Sequence, residues 1–356
     1  MTDGRHIDPA LGTLSGEGSH QLVRRTPQPF EAPVDTSREF PGEVTYYDRP
    51  VIKKSVWSWT IPAYYYVGGL SGGSAVLGAA ATLFGSRHMR DLAVRSRWIA
   101  TIGAGVSSVL LIHDLGRPSR FLYMLRVFRP TSPMSVGSWI LVAFSTTAGV
   151  SAASGLVPGL RRAGDLAAIA SGVLGLGLSG YTGVLVGNTV VPVWHRSHRW
   201  LPALFMASAA SSAASLLQLF PLRPAELRAA RMLGIAGQAA DIAISKVIEH
   251  SAPGDAASAP LREGFSGFLW KAGGILTAGS LLCSLIPSRS PLLRRCAGTL
   301  GTAGALCLRF GIHYAGQRSA TDPRATFQQQ RRGHGAYAVT GHAAVVGPAE
   351  QRAFEP

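Results

Sequence analysis

The chain has 356 residues, of which 47% are hydrophobic and 15% charged, and its mean hydropathy is +0.20. These values lie above those of ordinary soluble chains and indicate a membrane protein. The net charge of +15 does not indicate nucleic-acid binding, because the basic residues form short clusters between apolar runs. No single basic domain is left to bind a phosphate backbone.

Three segments follow one another along the chain. Residues 1–55 are polar and rich in proline, with no apolar core of the kind that an export signal requires. Residues 56–315 contain the apolar runs, and residues 316–356 form a basic tail without apolar periodicity, which we expect to be flexible or docked on another subunit.

The central segment predicts an all-α fold, a polytopic membrane bundle of about eight transmembrane helices. A hydrocarbon core of about 30 Å needs roughly 20 apolar residues per helix. Eight runs approach that length, and the second does so only if it begins near Leu92 and includes two arginines. The runs are 57–84, 98–114, 133–157, 166–191, 201–220, 229–248, 265–286 and 292–314.

Small residues are frequent in these runs. The stretch "GGLSGG" places Gly68 four residues before Gly72, and Gly69 four residues before Gly73. This spacing predicts close approach of neighbouring helices. The three cysteines match neither an iron–sulfur nor a zinc spacing and are expected to be packing residues; they are Cys283, Cys296 and Cys307.

If the eight helices cross in turn, the starts of odd helices and the ends of even helices lie on one membrane face. That face then receives most of the polar residues within the runs, whereas the opposite face receives arginine-bearing loops. The polar set includes Tyr64, Tyr65, His113, Asp114, Ser135, Tyr181, Asn188, Asp241, Arg309 and His313. An ionisable residue at the bilayer centre costs about 2.5–3.5 kcal/mol, so such a convergence predicts a site.

Within this set, His113 and Asp114 stand together at the end of the second run. A carboxylate beside an imidazole offers a proton relay. Other residues near the run ends have a simpler interpretation, since Lys246, His250 and Arg309 could snorkel to the interface or cap a helix. Asp241 and Glu249 lie on roughly one helix face and could form either a proton path or an ordinary polar seam.

Several stretches resemble the polysulfide reductase NrfD-like family, whose members are eight-helix membrane subunits of bacterial respiratory oxidoreductases. The similarity covers residues 44–325, and the long polar tail before it departs from shorter family members. It is carried by "WTIPAYYYVGGLSGGSA", "LLIHDLGRPSRF", "SPMSVGSWIL", "GYTGVLVGNTVVPVWH" and "GQRSATDP".

The resemblance implies a multi-pass subunit of the bacterial inner membrane that binds menaquinone or ubiquinone and holds no haem and no iron–sulfur cluster of its own. It also implies an iron–sulfur electron-transfer partner, together with a molybdenum, tungsten or multihaem catalytic subunit. Alone, such a chain would catalyse no reaction with a soluble substrate.

On this reading, His113 and Asp114 would exchange the protons of quinone chemistry, and Arg117 would fix the carboxylate or dock the partner. Tyr65 or Tyr181 would hydrogen-bond a ring carbonyl. The remaining residues assigned to the quinone site are Tyr64, Ser135 and Asn188.

Three other functions remain open from the residues alone. A haem-bearing anchor would use pairs among His113, His195 and His313. A secondary transporter would show two related halves with broken helices, and no internal repeat is visible in the sequence. A purely structural anchor would leave the ionisable cluster unexplained. The orientation in the membrane also stays open, because the loop arginines and the basic C-terminal tail point to opposite topologies.

Overall fold

In the computed structural model, residues 50–331 are described, except for residues 86, 158, 252–254 and 288–289. All regular structure in this described part is helical. Eight helices are long: α1 (Thr60–Leu83), α2 (Arg90–Asp114), α3 (Pro133–Ala153), α4 (Arg161–Gly187), α6 (Leu201–Leu219), α7 (Pro224–His250), α8 (Gly264–Leu285) and α9 (Pro291–Thr321). Two are short, α5 (Pro192–Arg196) and α10 (Pro323–Arg331), and a 3-10 helix spans Pro118–Leu125.

The prediction of a helical membrane protein is confirmed, and each of the eight apolar runs coincides with one long helix. Length and composition alone make four of these helices candidate membrane spans, namely α3, α4, α6 and α8. A total of eight spans therefore stays a prediction. Four helices extend beyond their predicted limits: α2 begins at Arg90, α4 at Arg161 and α7 at Pro224, and α9 continues to Thr321.

Local signals in the sequence explain where several helices begin and end. Proline occupies the first turn of α3, α6, α7 and α9, where the missing N–H would have no helical partner. Ser132 precedes α3 and accepts a hydrogen bond from the Ser135 amide. Gly116, with φ of 65°, lies two residues after the end of α2 and allows the chain to turn.

The long helices form two groups with the same packing order. In the first helix group, α1 packs against α2 and α4, and α3 packs against both α2 and α4. In the second helix group, α6 packs against α7 and α9, and α8 packs against both α7 and α9. Helix α1 also contacts α6 and α9, and α4 contacts α6, so α1 lies where the two groups meet.

The predicted close approach of helices at the glycines of α1 is clearest at two of the four positions. A Cβ atom on Gly72 would lie 2.5 Å from the carbonyl oxygen of Gly175 on α4. A Cβ atom on Gly73 would lie 2.6 Å from the carbonyl oxygen of Ala209 on α6. These two glycines therefore bring α1 against a helix of each group, whereas Gly68 has only ordinary contacts.

The segment after residue 315 is more ordered than the sequence suggested. Residues up to 331 lie in α9 and α10, and Ala320, Ala325 and Phe327 are buried against the bundle. The expected tails at residues 1–49 and beyond 331 lie outside the described residues. The cysteines are free; Cys283 and Cys307 are half-buried, but Cys296 is exposed and so is not a packing residue.

Replacing Gly72 with alanine should destabilise the protein, because the new methyl group would meet the Gly175 carbonyl and force α1 and α4 apart. Overpacking of this kind costs about 1–3 kcal/mol. The measurement is the thermal unfolding midpoint of the purified chain in detergent. Gly105→Ala is the matched control, since a Cβ atom there has no neighbour within 4 Å; equal midpoints for the two variants would contradict the prediction.

Candidate functional site

A cavity of about 250 Å³ lies at one end of the first helix group. We call it the first cavity. The starts of α1 and α3 and the ends of α2 and α4 surround it, as the alternation of the helices predicted. Its polar lining residues are Tyr64, Tyr65, Asp114, Ser138 and Tyr181. Apolar residues make up most of the remainder, including Trp57, Ile61, Leu111, Met124, Met134 and Leu185.

One of the lining tyrosines has a hydroxyl group without a partner. Tyr64 and Tyr65 are each 1% exposed; the Tyr64 hydroxyl interacts with that of Tyr181, whereas the Tyr65 hydroxyl makes no hydrogen bond to the described residues. A buried donor that is left unpaired costs about 1–3 kcal/mol. The first cavity therefore presents phenol groups that a ligand with hydrogen-bond acceptors would satisfy.

Asp114 is held in place by the segment that leads into α1. One oxygen of its carboxylate, Oδ1, accepts hydrogen bonds from the Ser58 amide at 3.1 Å, the Ser58 hydroxyl at 2.7 Å and the Thr60 hydroxyl at 3.1 Å. Asp114 is the last residue of α2, so these bonds join the end of α2 to the start of α1. Charge-assisted hydrogen bonds of this kind fix the orientation of a carboxylate.

The position of Tyr181 depends on a glycine of a neighbouring helix. The ring of Tyr181 on α4 occupies the space that a Cβ atom on Gly137 of α3 would need. Any side chain at Gly137 would displace the ring. Glycine at the start of α3 therefore allows the tyrosine to reach the first cavity beside Tyr64 and Tyr65.

Two predicted site residues next to Asp114 lie outside the first cavity. His113 is exposed and makes no hydrogen bond to the described residues. Successive residues of an α-helix point about 100° apart, so His113 and Asp114 cannot both face the same space. Arg117 is also exposed, and within the described part of the chain it forms no ion pair with Asp114.

Two further predicted residues have local structural partners instead. Ser135 accepts a hydrogen bond from the Arg129 amide at 3.0 Å and donates one to the Val127 carbonyl at 3.3 Å, so it holds the loop before α3. Asn188 is exposed at the end of α4 and donates to the Val184 carbonyl at 2.9 Å. Ser138, one turn after Ser135, lines the first cavity in its place.

A second buried polar cluster lies beside the first cavity, on α9. Arg309 is 1% exposed; its guanidinium donates to the Phe205 carbonyl at 2.8 Å and lies 3.8 Å from the centre of the Phe205 ring. The interpretation of Arg309 as a snorkelling residue is therefore wrong. Asp241 on α7 is 2% exposed and supplies a carboxylate to this buried region.

His313, one turn after Arg309, belongs to the polar set predicted from the sequence but not to the residues that the family resemblance assigns to the quinone site. It is fully buried, and its ring centre lies 6.3 Å from that of Tyr65 and 6.2 Å from that of Trp194. The Gln317 side chain lies 3.2 Å from His313 and donates to the Trp57 carbonyl at 3.0 Å. The signal in the sequence was the pair of ionisable residues four apart in an otherwise apolar run, "LRFGIHY".

The polar residues at the end of α7 lie near the surface. Lys246 forms an ion pair with Glu249 at 2.7 Å, and the two side chains are 62% and 22% exposed. Glu249 also accepts a hydrogen bond from the Trp270 indole at 2.6 Å. Asp241 instead accepts one from Ser245. The structure therefore separates a buried Asp241 from an exposed Lys246–Glu249 pair.

Among the described residues, no group of three or more His, Cys, Asp or Glu side chains comes together in a way that could hold a metal ion. The exposed rings of His195 and His198 stack on each other at 5.5 Å. The described part of the bundle thus presents aromatic, hydroxyl and carboxylate groups at the first cavity.

A family model described as polysulfide reductase, of the NrfD type, matches residues 44–322. No match was found among curated individual proteins. The matched region includes all eight long helices and every residue of the first cavity, and the family is one of membrane subunits of oxidoreductase complexes. The chain belongs to the polysulfide reductase (NrfD) family.

Proposed function

We propose that this chain is the quinone-reactive membrane subunit of a respiratory oxidoreductase complex and that the first cavity binds the quinone headgroup. The observation that carries the proposal is the meeting of the unpartnered, buried Tyr65 hydroxyl with a hydrogen-bonded carboxylate in one largely apolar space. Family membership supports it, since subunits of this family generally interact with quinones.

The lining of the first cavity fits such a ring. Quinone carbonyl oxygens accept hydrogen bonds, and the Tyr65 hydroxyl is free to donate one. The hydroxyls of Tyr64 and Tyr181, which interact with each other, lie beside it. The volume of about 250 Å³ is near the lower end of the range for small-molecule sites and suits a ring rather than a long isoprenoid tail. Menaquinone and ubiquinone both satisfy these requirements.

When bound, a quinone supplies two-electron redox chemistry that is coupled to the uptake or release of two protons. Asp114 holds or moves a proton at its carboxylate, and Ser58 and Thr60 keep that carboxylate in position. The tyrosines orient the ring, and the apolar residues exclude water. Because Asp114 is only half-buried at the end of α2, it also connects the first cavity with the solution at that face.

The electrons come from partner subunits in this proposal. An iron–sulfur protein would dock at the end of the bundle that holds the first cavity, and a molybdenum, tungsten or multihaem subunit would complete the complex. His113 and Arg117 are exposed at that end, where they are available to a partner. The chain then has no activity of its own toward a soluble substrate.

We further propose that all eight long helices cross the bacterial inner membrane. Helix α1 contains no Asp, Glu, Lys or Arg in its 24 residues, and its glycines, serines and tyrosines lower its hydropathy. Those residues are buried inside the bundle, so lipid does not contact them. In α9, Arg309 and His313 are likewise buried. Polar residues that face protein are compatible with a transmembrane helix.

Replacing Asp114 with asparagine should reduce quinone-dependent turnover of the purified complex by about 10²- to 10⁴-fold, the usual contribution of general acid–base catalysis. Asparagine keeps the shape and an acceptor oxygen but removes the titrating group. Dye-dependent turnover, which reports the partner subunits without the first cavity, should be unchanged.

The matched control for this variant is Asp91→Asn, which removes an exposed carboxylate at the opposite end of α2. It should affect neither activity. Loss of both activities in Asp114→Asn would show that Asp114 supports assembly instead, and full retention of both would remove Asp114 from the site.

Replacing Tyr65 with phenylalanine should raise the KM for quinone about two- to tenfold, because one neutral hydrogen bond contributes about 0.5–1.5 kcal/mol. The fold should tolerate the change, since the lost hydroxyl has no partner among the described residues. Steady-state kinetics with a water-soluble quinone analogue make the measurement. Tyr66→Phe is the control, as the next tyrosine is buried outside the first cavity; equal KM values in the two variants would argue against a tyrosine–quinone bond.

A further inference from the structure

A larger cavity, of about 440 Å³, lies at the opposite end of the first helix group. We call it the second cavity. It is surrounded by the end of α1, the start of α2, the end of α3 and the start of α4, the same four helices that form the first cavity. We infer that the second cavity binds the phosphate group of an anionic phospholipid from the surrounding bilayer.

The charges around the second cavity favour an anion. Three arginines line it, Arg90, Arg97 and Arg161, together with one carboxylate, Asp165. Arg97 forms an ion pair with Asp165 at 2.6 Å. Three positive charges and one negative charge leave a net charge of +2, and within the described residues neither Arg90 nor Arg161 has a carboxylate partner. The single negative charge of a phospholipid phosphate would offset half of this net charge.

Donors that remain without partners also border the second cavity. The Nε atom of Arg97 and the hydroxyl of Ser151 are buried, and neither has a hydrogen-bond partner in the described part of the chain. Ser151 is only 1% exposed. Helix α4 begins here, so its first N–H groups and positive dipole end add to the attraction for an anion. At the start of α2, the Leu92 amide already donates to the Glu226 carboxylate. Phosphate oxygens are the acceptors that arginine binds best.

In the second helix group, protein atoms fill the space that corresponds to the second cavity. Arg231 is the eighth residue of α7, as Arg97 is the eighth residue of α2. Arg231 donates to the carbonyls of Ser284 and Ile286 at the end of α8. The remaining space there is about 20 Å³. Protein carbonyls thus satisfy Arg231 in a filled space, whereas Arg97 pairs with Thr82 and Asp165 at the edge of a much larger open space.

The apolar rim of the second cavity favours a lipid over a soluble anion. Trp98 is 39% exposed, Val94 is 42% exposed and Leu156 is 70% exposed, and all three line the cavity beside the arginines. Tryptophan and arginine at a helix end mark the headgroup region of a bilayer. Basic pockets between transmembrane helices bind anionic headgroups in this way. A free phosphate would pair with the arginines but would leave the rim uncovered.

The test is lipid binding to the full-length chain, purified in its complex and stripped of lipid in detergent. Native mass spectrometry would count the bound molecules during titration with phosphatidylglycerol. Phosphatidylcholine and inorganic phosphate would be titrated separately. We expect one tight phosphatidylglycerol site that neither of the other two fills.

Arg161→Gln and Arg97→Gln should each weaken this site about tenfold, since each removes a hydrogen bond to a charged group. Arg161 is exposed and makes no hydrogen bond to the described residues, so its variant remains informative if Arg97→Gln fails to fold. Arg228→Gln is the matched control, because Arg228 is exposed near the start of α7 and outside the second cavity.

Equal phosphatidylglycerol affinity in Arg161→Gln and Arg228→Gln would overturn the inference. Tight binding of inorganic phosphate to the same site would show a soluble anion as the ligand and would also overturn it. The readout does not use quinone turnover, so failure here leaves the proposed function of the first cavity untouched.

Discussion

The close approach of α1 to both helix groups is the constraint on which the rest of the structure depends. Gly72 meets the backbone of α4 and Gly73 meets that of α6, at distances that no Cβ atom would allow. This contact places the start of α1, with Tyr64 and Tyr65, between α4 and α9. It also puts the preceding segment within hydrogen-bond distance of Asp114 at the end of α2. The first cavity therefore depends on how closely the backbones of α1, α4 and α6 pack.

Much of the fold could be predicted from hydrophobicity alone, because a helix that faces lipid or a tightly packed interior must be apolar along most of its length. The predicted helix limits were wrong where a helix includes charged side chains that have partners in the protein. Helix α2 begins before Arg95 and Arg97 because the Pro221 carbonyl and Asp165 bind these arginines. The repeated packing order of the two groups could not be predicted from the sequence, since many combinations of small residues allow the same helix contacts.

The group of residues at the first cavity was predictable to the level of one end of the bundle, but not to the level of a helix face. Alternation of the helices correctly brought Tyr64, Tyr65, Asp114 and Tyr181 together. It could not tell Asp114 from His113, or Ser138 from Ser135, because rotation of a helix about its axis depends on its neighbours. Residues near an element's end also have local partners, as Asn188 has in the Val184 carbonyl. Only packing decides which of them reach the cavity.

The position of Asp114 at the last residue of α2 has an electrical consequence. A helix rises about 1.5 Å per residue, so the 17 residues between Tyr65 and Thr82 separate the two ends of the bundle by about 25 Å. In the proposed quinone reaction, protons that reach the first cavity from its own face would cross none of that distance. Such a reaction would move no proton charge through the bilayer. It would contribute to the membrane potential only through electrons that arrive from the other side or through a separate path across the second helix group.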